Sequence, residues 1–267
     1  MEREPFVAGQ FYPGRADLIK KEIDKYHIKG GSKREVKGIL SPHAGYIYSG
    51  KVAGAVFSQI ANPDTVIILG PAHRAVGVTG ALWKEGNWQT PLGSVEIDQE
   101  LAEEILKASP LVKNDYQAHL GEHSLEVQLP FIQYFFPSTK IVPLVLGFSS
   151  FHQLEKISKG IVKAVKAGKK KVLILASSDM THYQPQETAE KLDKLALEPL
   201  LKLEAKRFFD TVVANDISMC GYMPAAIMIL ACKALGAKRG ELVMYATSGE
   251  ASGNYSEVVG YAGVIVE

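Results

Sequence analysis

Four polar clusters in this chain carry residue types able to bind a metal ion or move a proton, and three of them directly follow short apolar runs. Ile39-Leu40 leads into Ser41-Pro42-His43-Ala44-Gly45-Tyr46, and Val66 to Leu69 leads into Gly70-Pro71-Ala72-His73. Val172 to Leu175 leads, past Ala176, into Ser177-Ser178-Asp179-Met180-Thr181-His182-Tyr183. Ligands of open α/β sheets bind in the crevice beyond the carboxyl ends of the strands. Neighbouring strands lie about 4.8 Å apart. Imidazoles on adjacent strand ends can therefore share one ion, at about 2.1 Å per nitrogen for a zinc-like metal. Pro42 and Pro71 stiffen the backbone before each turn, and Gly45 and Gly70 are expected to allow a tight departure. For a single histidine, a buried, hydrogen-bonded core residue is an equal alternative. Three strand ends with one arrangement favour a shared site.

The fourth cluster is His119-Leu120-Gly121-Glu122-His123-Ser124-Leu125-Glu126. His119 and His123 have the i, i+4 spacing of helical metal sites, but Gly121 between them can leave His119 in a loop. His123 and Glu126 fit a helix start better, with His123 a candidate for the cleft. Glu122 and Glu126 can equally do no more than complement a helix N-terminus. A further candidate is Cys220, in Ser218-Met219-Cys220-Gly221-Tyr222-Met223-Pro224. Its place ahead of a Pro-started helix predicts a lowered thiol pKa. A thiolate there would complete a two-histidine metal site. Cys232, inside an apolar helix, reads as a small buried hydrophobe, and His27 and His152 as surface residues.

The elements that must position these groups alternate along the whole chain. Strands are predicted over 37–41, 65–70, 140–146, 171–176, 241–247 and 258–266. Helices are predicted over 50–60, 98–108 with Asp98 as N-cap, 122–136 with a kink or break at Pro130, 151–167, one or two within 189–214, and 223–235. Continuous apolar runs such as Val66 to Leu69 suit strands covered on both faces. The pattern predicts one α/β domain over 1–267, with a central, mostly parallel mixed sheet and helices on both faces. The Gly/Ser-rich loop from Ala246 to Gly253 joins the closing strands and makes part of the sheet antiparallel.

Bulk properties narrow the function. The chain has 267 residues, 46% of them hydrophobic, enough for a core without disulfides. With 30 Lys+Arg against 29 Asp+Glu, no nucleic-acid footprint is expected. The run Lys169-Lys170-Lys171 reads as a solvated turn before a strand. Two cysteines fit a reducing compartment. The charged N-terminus shows no secretory pattern, and no run nears the ~18 apolar residues of a membrane span. A cytoplasmic protein that binds neither nucleic acid nor membrane is expected.

The sequence resembles the Memo family, whose prokaryotic members are also called protein B of the AmmeMemoRadiSam system. The likeness rests on VAGQFYPG at Val7 to Gly14, SPHAGYIYSGKVAG at Ser41 to Gly54, LGPAHR at Leu69 to Arg74 and TPLGSVEID at Thr90 to Asp98. It continues with EHSLEVQLPF at Glu122 to Phe131, SSDMTHY at Ser177 to Tyr183, CGYMP at Cys220 to Pro224 and the closing Gly260-Tyr261-Ala262-Gly263. The resemblance implies a fold similar to class III extradiol dioxygenases, which use non-haem iron held by two histidines and a carboxylate. Carried over, His43 and His73 match the histidine ligands, His182 the acid/base, and Cys220 the position of the carboxylate. Thiolate in place of carboxylate makes the site softer, closer to copper, zinc or a redox role. The family's animal members bind phosphorylated receptor peptides. The prokaryotic ones are associated with an AMMECR1-like protein and a radical SAM enzyme as prospective partners.

Three readings compete. In the first, His43, His73 and Cys220 bind a divalent metal, iron or copper ahead of zinc. Asp179 orients His182, and His182, with His123 beside it, moves protons in a metal-dependent oxidoreductase. In the second, the cleft takes a small molecule or a peptide without catalysis. The third is a metal-free hydrolase with Cys220 as nucleophile, His182 as base and Asp179 as orienter.

Overall fold

The computed structural model describes residues 1–28, 32–74 and 77–267. Its centre is four parallel strands in the order Gly38–Ser41, Val172–Ser177, Thr65–Pro71, Lys140–Leu146. Their side chains alternate between two cores, as a period of two requires. Leu40, Ile67, Leu69, Ile174 and Ala176 point to one face, and Ile39, Val66, Ile68, Leu173 and Leu175 to the other. Both faces are covered, which explains the uninterrupted apolar runs. The first face is packed by helices Gln99–Ala108, Phe151–Ala167 and Tyr222–Ala234, with Gln186–Leu201 and Ala205–Ala214 beyond. The second is packed by Ala16–Tyr26, Tyr46–Phe57 and Leu129–Phe135.

The sheet turns antiparallel toward its edges. Val258–Val266 pairs antiparallel with both Gly38–Ser41 and Gly240–Thr247, and Gly80–Leu82 pairs antiparallel with Lys140–Leu146. The predicted α/β mixed sheet with helices on both faces is what forms. Pro143 is tolerated because Gly80–Leu82 pairs only with residues 144–146, leaving the proline outside that ladder. A second, three-stranded sheet joins Glu2–Arg3, Asn87–Thr90 and Gly93–Glu96. Asp98 caps its helix by accepting from the Leu101 N–H, as expected. Among the described residues no helix is long and apolar enough to cross a membrane.

The segment 189–214 resolves into two helices, one of the two outcomes expected there, divided at 202–204. Two element predictions need correction. The helix predicted over 50–60 starts earlier, at Tyr46. Most consequential for function, no helix runs through 122–136. Residues 122–128 form a turn ending in a single 3-10 turn, and the α-helix begins at Leu129. Pro130 stands in the first turn of that helix, where its missing N–H has no partner to lose, so it starts the helix rather than kinking it.

Candidate metal centre

Val172–Ser177 is the middle one of the three strands whose ends carry the polar clusters, with Gly38–Ser41 and Thr65–Pro71 on either side. His43 and His73 each lie two residues past a flanking strand, and Asp179 two residues past the middle one. The 122–128 turn is laid over these ends. Gly70 makes that approach possible: a Cβ there would meet Ser124 Oγ at 2.6 Å and Leu125 Cδ1 at 2.8 Å. Gly70 is thus required by close packing, not by turn geometry.

His43, His73 and His123 each offer one ring nitrogen, and these atoms all lie within 4.8 Å of one another. His43 meets each of the other two rings nearly edge-on at 5.4 Å, while His73 and His123 stack at 4.7 Å. His43 is fully buried, and His73 opens to solvent. One ion bonded at about 2.1 Å needs donors about 3–4 Å apart, within reach of small ring movements. Imidazole suits zinc, copper and iron alike, so the donor set fits a transition metal without choosing one.

The 122–128 turn also fixes the other two rings. Glu122, 1% exposed, accepts from the His73 backbone N–H at 2.7 Å and pairs with His73 Nδ1 at 2.8 Å. Its second ring neighbour is His123, with Nδ1 at 3.6 Å. Burial alone would raise the Glu122 pKa, but His73 and the N–H groups of Ser124 and His73 prevail and hold it at about 2. The carboxylate is therefore ionised and accepts the Nδ1 proton of His73, leaving Nε2 free. Carboxylate-oriented histidine is the usual support of a metal ligand. On the other side, His43 Nδ1 lies 2.9 Å from Ser177 Oγ, which itself bonds the Ser124 carbonyl and the Gln128 side chain. Burial, then repulsion from His123 and His73, pushes the His43 pKa well down, so this ring is neutral.

Cys220 Sγ sits 3.3 Å from His43 Nε2 and accepts from the Asp179 N–H at 3.3 Å. The chain reaches this depth through Gly221, where a Cβ would lie 2.4 Å from the Ser177 carbonyl oxygen. Cys220 touches His43 but falls outside the mutually close trio of rings. Its expected low pKa is not found: burial, then the Asp179 charge, pushes the thiol up, outweighing the hydrogen bonds from Asp179, Ser178 and Gly221. Asp179 does not bond the His182 ring. It accepts from the backbone N–H groups of His43 at 2.8 Å and Ala44 at 3.3 Å, and burial raises its own pKa to about 6. His182 is oriented instead by Ser218, whose carbonyl takes Nδ1–H at 2.9 Å and whose hydroxyl takes the backbone N–H at 2.8 Å. The imidazole beside Cys220 is that of His43, so the Cys220–His182–Asp179 hydrolase triad is not assembled among these contacts.

The remaining cluster residues are structural. His119 is fully buried, with Nε2 3.0 Å from the Ala81 carbonyl. Glu126 pairs with Arg3 at 2.7 Å and accepts from the Phe6 and Val7 N–H groups and the Tyr12 hydroxyl. Neither carboxylate of the turn acts as a simple helix-dipole partner. Sequence reasoning missed the roles of Glu122, Ser177 and Gln128. The run Glu122-His123-Ser124 carried a signal, a carboxylate directly beside a histidine, but nothing local pointed it at His73.

Fold and site together define an α/β protein with an imidazole cluster at the carboxyl edge of a mixed sheet. The family model described as Memo-like protein matches residues 3–265, and the chain belongs to the Memo family. It is 42% identical to a MEMO1 family protein of Sulfurisphaera tokodaii, with 99% of both chains covered. It is 39% identical to one of Methanopyrus kandleri at the same coverage, and 42% identical to one of Methanosarcina barkeri over 99% of this chain and 100% of that one. Among solved structures it shares its fold with an uncharacterized protein of Escherichia coli K12, at TM-score 0.54 and 13% identity. That match covers 87% of this chain and all of the other.

Proposed function

We propose that the cluster holds one divalent transition metal, iron or copper ahead of zinc, and that the cleft serves a metal-dependent oxidoreductase acting on a small ligand. The observation that carries the reading is the convergence of His43, His73 and His123, two of them held through Nδ1 by Ser177 and Glu122. A bound iron or copper would supply Lewis acidity and one-electron chemistry. The trio supports His123 as a ligand, and Cys220, against His43 Nε2, is the candidate for a softer additional donor. His182 is suited to the acid/base role. Its Nδ1 proton faces a carbonyl, which only accepts, so Nε2 is the nitrogen left to exchange a proton with a ligand. Asp179 holds the His43 turn in place through two backbone N–H groups.

The test is purification without oxygen, metal analysis, and titration with iron(II), copper and zinc. One equivalent bound by the wild type and none by a His43→Ala/His73→Ala double variant supports the site. Oxygen consumption with a small aromatic, lost in His182→Ala, supports the activity. No stoichiometric binding of any of the three metals would end the proposal.

A second reading, a peptide- or protein-binding module that keeps the cleft, is favoured by the exposed rings of Tyr48 and Tyr183, the latter 5.9 Å from the His182 ring. Peptide binding that survives the double histidine change, with no activity in the metal-loaded protein, would favour it.

A further inference from the structure

We infer that Ser177 is a positioning residue for the metal centre, its hydroxyl fixing the tautomer of His43. The inference deepens the metal-site reading and rests on it for its purpose. The proton inventory of one buried hydroxyl carries it. Ser177 is fully buried, and its Oγ has three neighbours: the Ser124 carbonyl oxygen at 2.7 Å, Gln128 Nε2 at 2.8 Å and His43 Nδ1 at 2.9 Å. A serine hydroxyl has one proton to give and two lone pairs to fill. The Ser124 carbonyl can only accept, so it takes the proton.

Gln128 occupies one lone pair as a donor. Its amide orientation is set independently, because Nε2 also lies 2.9 Å from the Pro42 carbonyl, which again can only accept. The remaining lone pair must take a proton from His43. His43 therefore carries its proton on Nδ1, and its Nε2 lone pair faces the other rings and Cys220.

The orientation is not imposed from the other side. At 3.3 Å, Cys220 Sγ could accept a proton from Nε2 as readily as give one to it. Without the Ser177 hydroxyl, the Nε2–H form of His43 would point its proton at the sulfur, and the metal-facing nitrogen would lose its lone pair. The same hydroxyl ties the Val172–Ser177 strand end to the Ser124 backbone, next to His123. Ser177 thus holds one ligand by its ring and the turn of another by its carbonyl. Glu122 does the equivalent for His73 with a full negative charge, whereas Ser177 does it as a neutral group.

Nitrogen-15 NMR of the imidazoles in the metal-free wild type at neutral pH is the direct test, with zinc as the probe for affinity. The expected spectrum has His43 protonated at Nδ1 and bare at Nε2. Ser177→Ala is expected to populate the Nε2–H form and to weaken zinc binding about 10- to 100-fold, the usual cost of removing a ligand's outer partner. Ser177→Thr, which restores a hydroxyl, is expected to recover the Nδ1–H form and most of the affinity. A wild-type His43 protonated at Nε2 overturns the inference, and this measurement needs no variant to fold. So does a Ser177→Ala protein that keeps the Nδ1–H form with zinc affinity within about two-fold of wild type. A wild type that binds no zinc, iron or copper overturns the metal reading instead, and the tautomer is then decided by the metal-free spectrum.

Discussion

Glu122 holds His73 at two points, with Oε2 2.7 Å from the backbone nitrogen and Oε1 2.8 Å from ring Nδ1. One buried carboxylate thereby sets both the path of the loop and the rotation of the ring. Glu122→Gln keeps the shape but aims an amide N–H at one of two donors. The expected outcome is a 10- to 100-fold weaker zinc affinity by chelator competition. Unchanged affinity would show that His73 is positioned by something else.

Arg3 anchors the turn from below. Its guanidinium donates to Glu126, to the His119 carbonyl and to the Glu122 carbonyl, with only 1% of its surface exposed. Removing one member of a buried ion pair leaves the other charge uncompensated, at about 3–5 kcal/mol. Arg3→Met and Glu126→Gln are each expected to lower unfolding stability by about that amount in urea titrations. A loss below about 1 kcal/mol would mean that water replaces the missing partner.

His119 makes the fold acid-sensitive. Burial, then the nearby Arg3 charge, lowers its pKa to about 3 against an ordinary 6.5. The unfolded chain takes up a proton that the folded one refuses, so the contribution is present above about pH 6.5 and lost as pH falls toward 3. The whole effect is bounded at about 5 kcal/mol. His119→Gln, which keeps an N–H for the Ala81 carbonyl, is expected to flatten the loss of stability between pH 6.5 and 4. An unchanged slope would assign the acid sensitivity to other groups.

Gly70→Ala probes the seating of the turn. The added methyl would lie 2.6 Å from Ser124 Oγ and 2.8 Å from Leu125 Cδ1, so these two residues, which directly follow His123, must shift. Overpacking of this kind costs about 1–3 kcal/mol. A matching loss of zinc affinity is expected, while Gly45→Ala, where a Cβ would meet nothing closer than 3.6 Å, is expected to leave affinity nearly unchanged.

The strand ends bearing His43, His73 and Asp179 were legible because buried parallel strands announce themselves as unbroken apolar runs. That three such ends lie side by side was a condition the alternation with helices allowed but did not fix, since the strand order is set by tertiary pairing. The turn at 122–128 was harder. Carboxylates ahead of a helix look alike whether they complement a dipole, as expected, or orient a histidine 49 positions away, as Glu122 does. The helix start at Pro130 had a readable signal, proline in a first turn, which the apolar spacing of Leu125 and Leu129 masked. Cys220 Sγ lies 3.3 Å from His43 Nε2, but its ionisation depends on burial and on Asp179, neither visible in local sequence. The short strands between Gly80 and Glu96 carry mixed residues without clean alternation and pair partly with the N-terminus, so nothing nearby marks them.

The most direct test of the three-histidine site is X-ray absorption of the copper- or zinc-loaded protein, compared with a His123→Ala variant. At least three imidazole nitrogens at ~2.0–2.1 Å from one metal are expected, with one imidazole lost in the variant and affinity falling with it. A wild-type spectrum fitted by two imidazoles and a sulfur at about 2.3 Å, unchanged by His123→Ala, would contradict it.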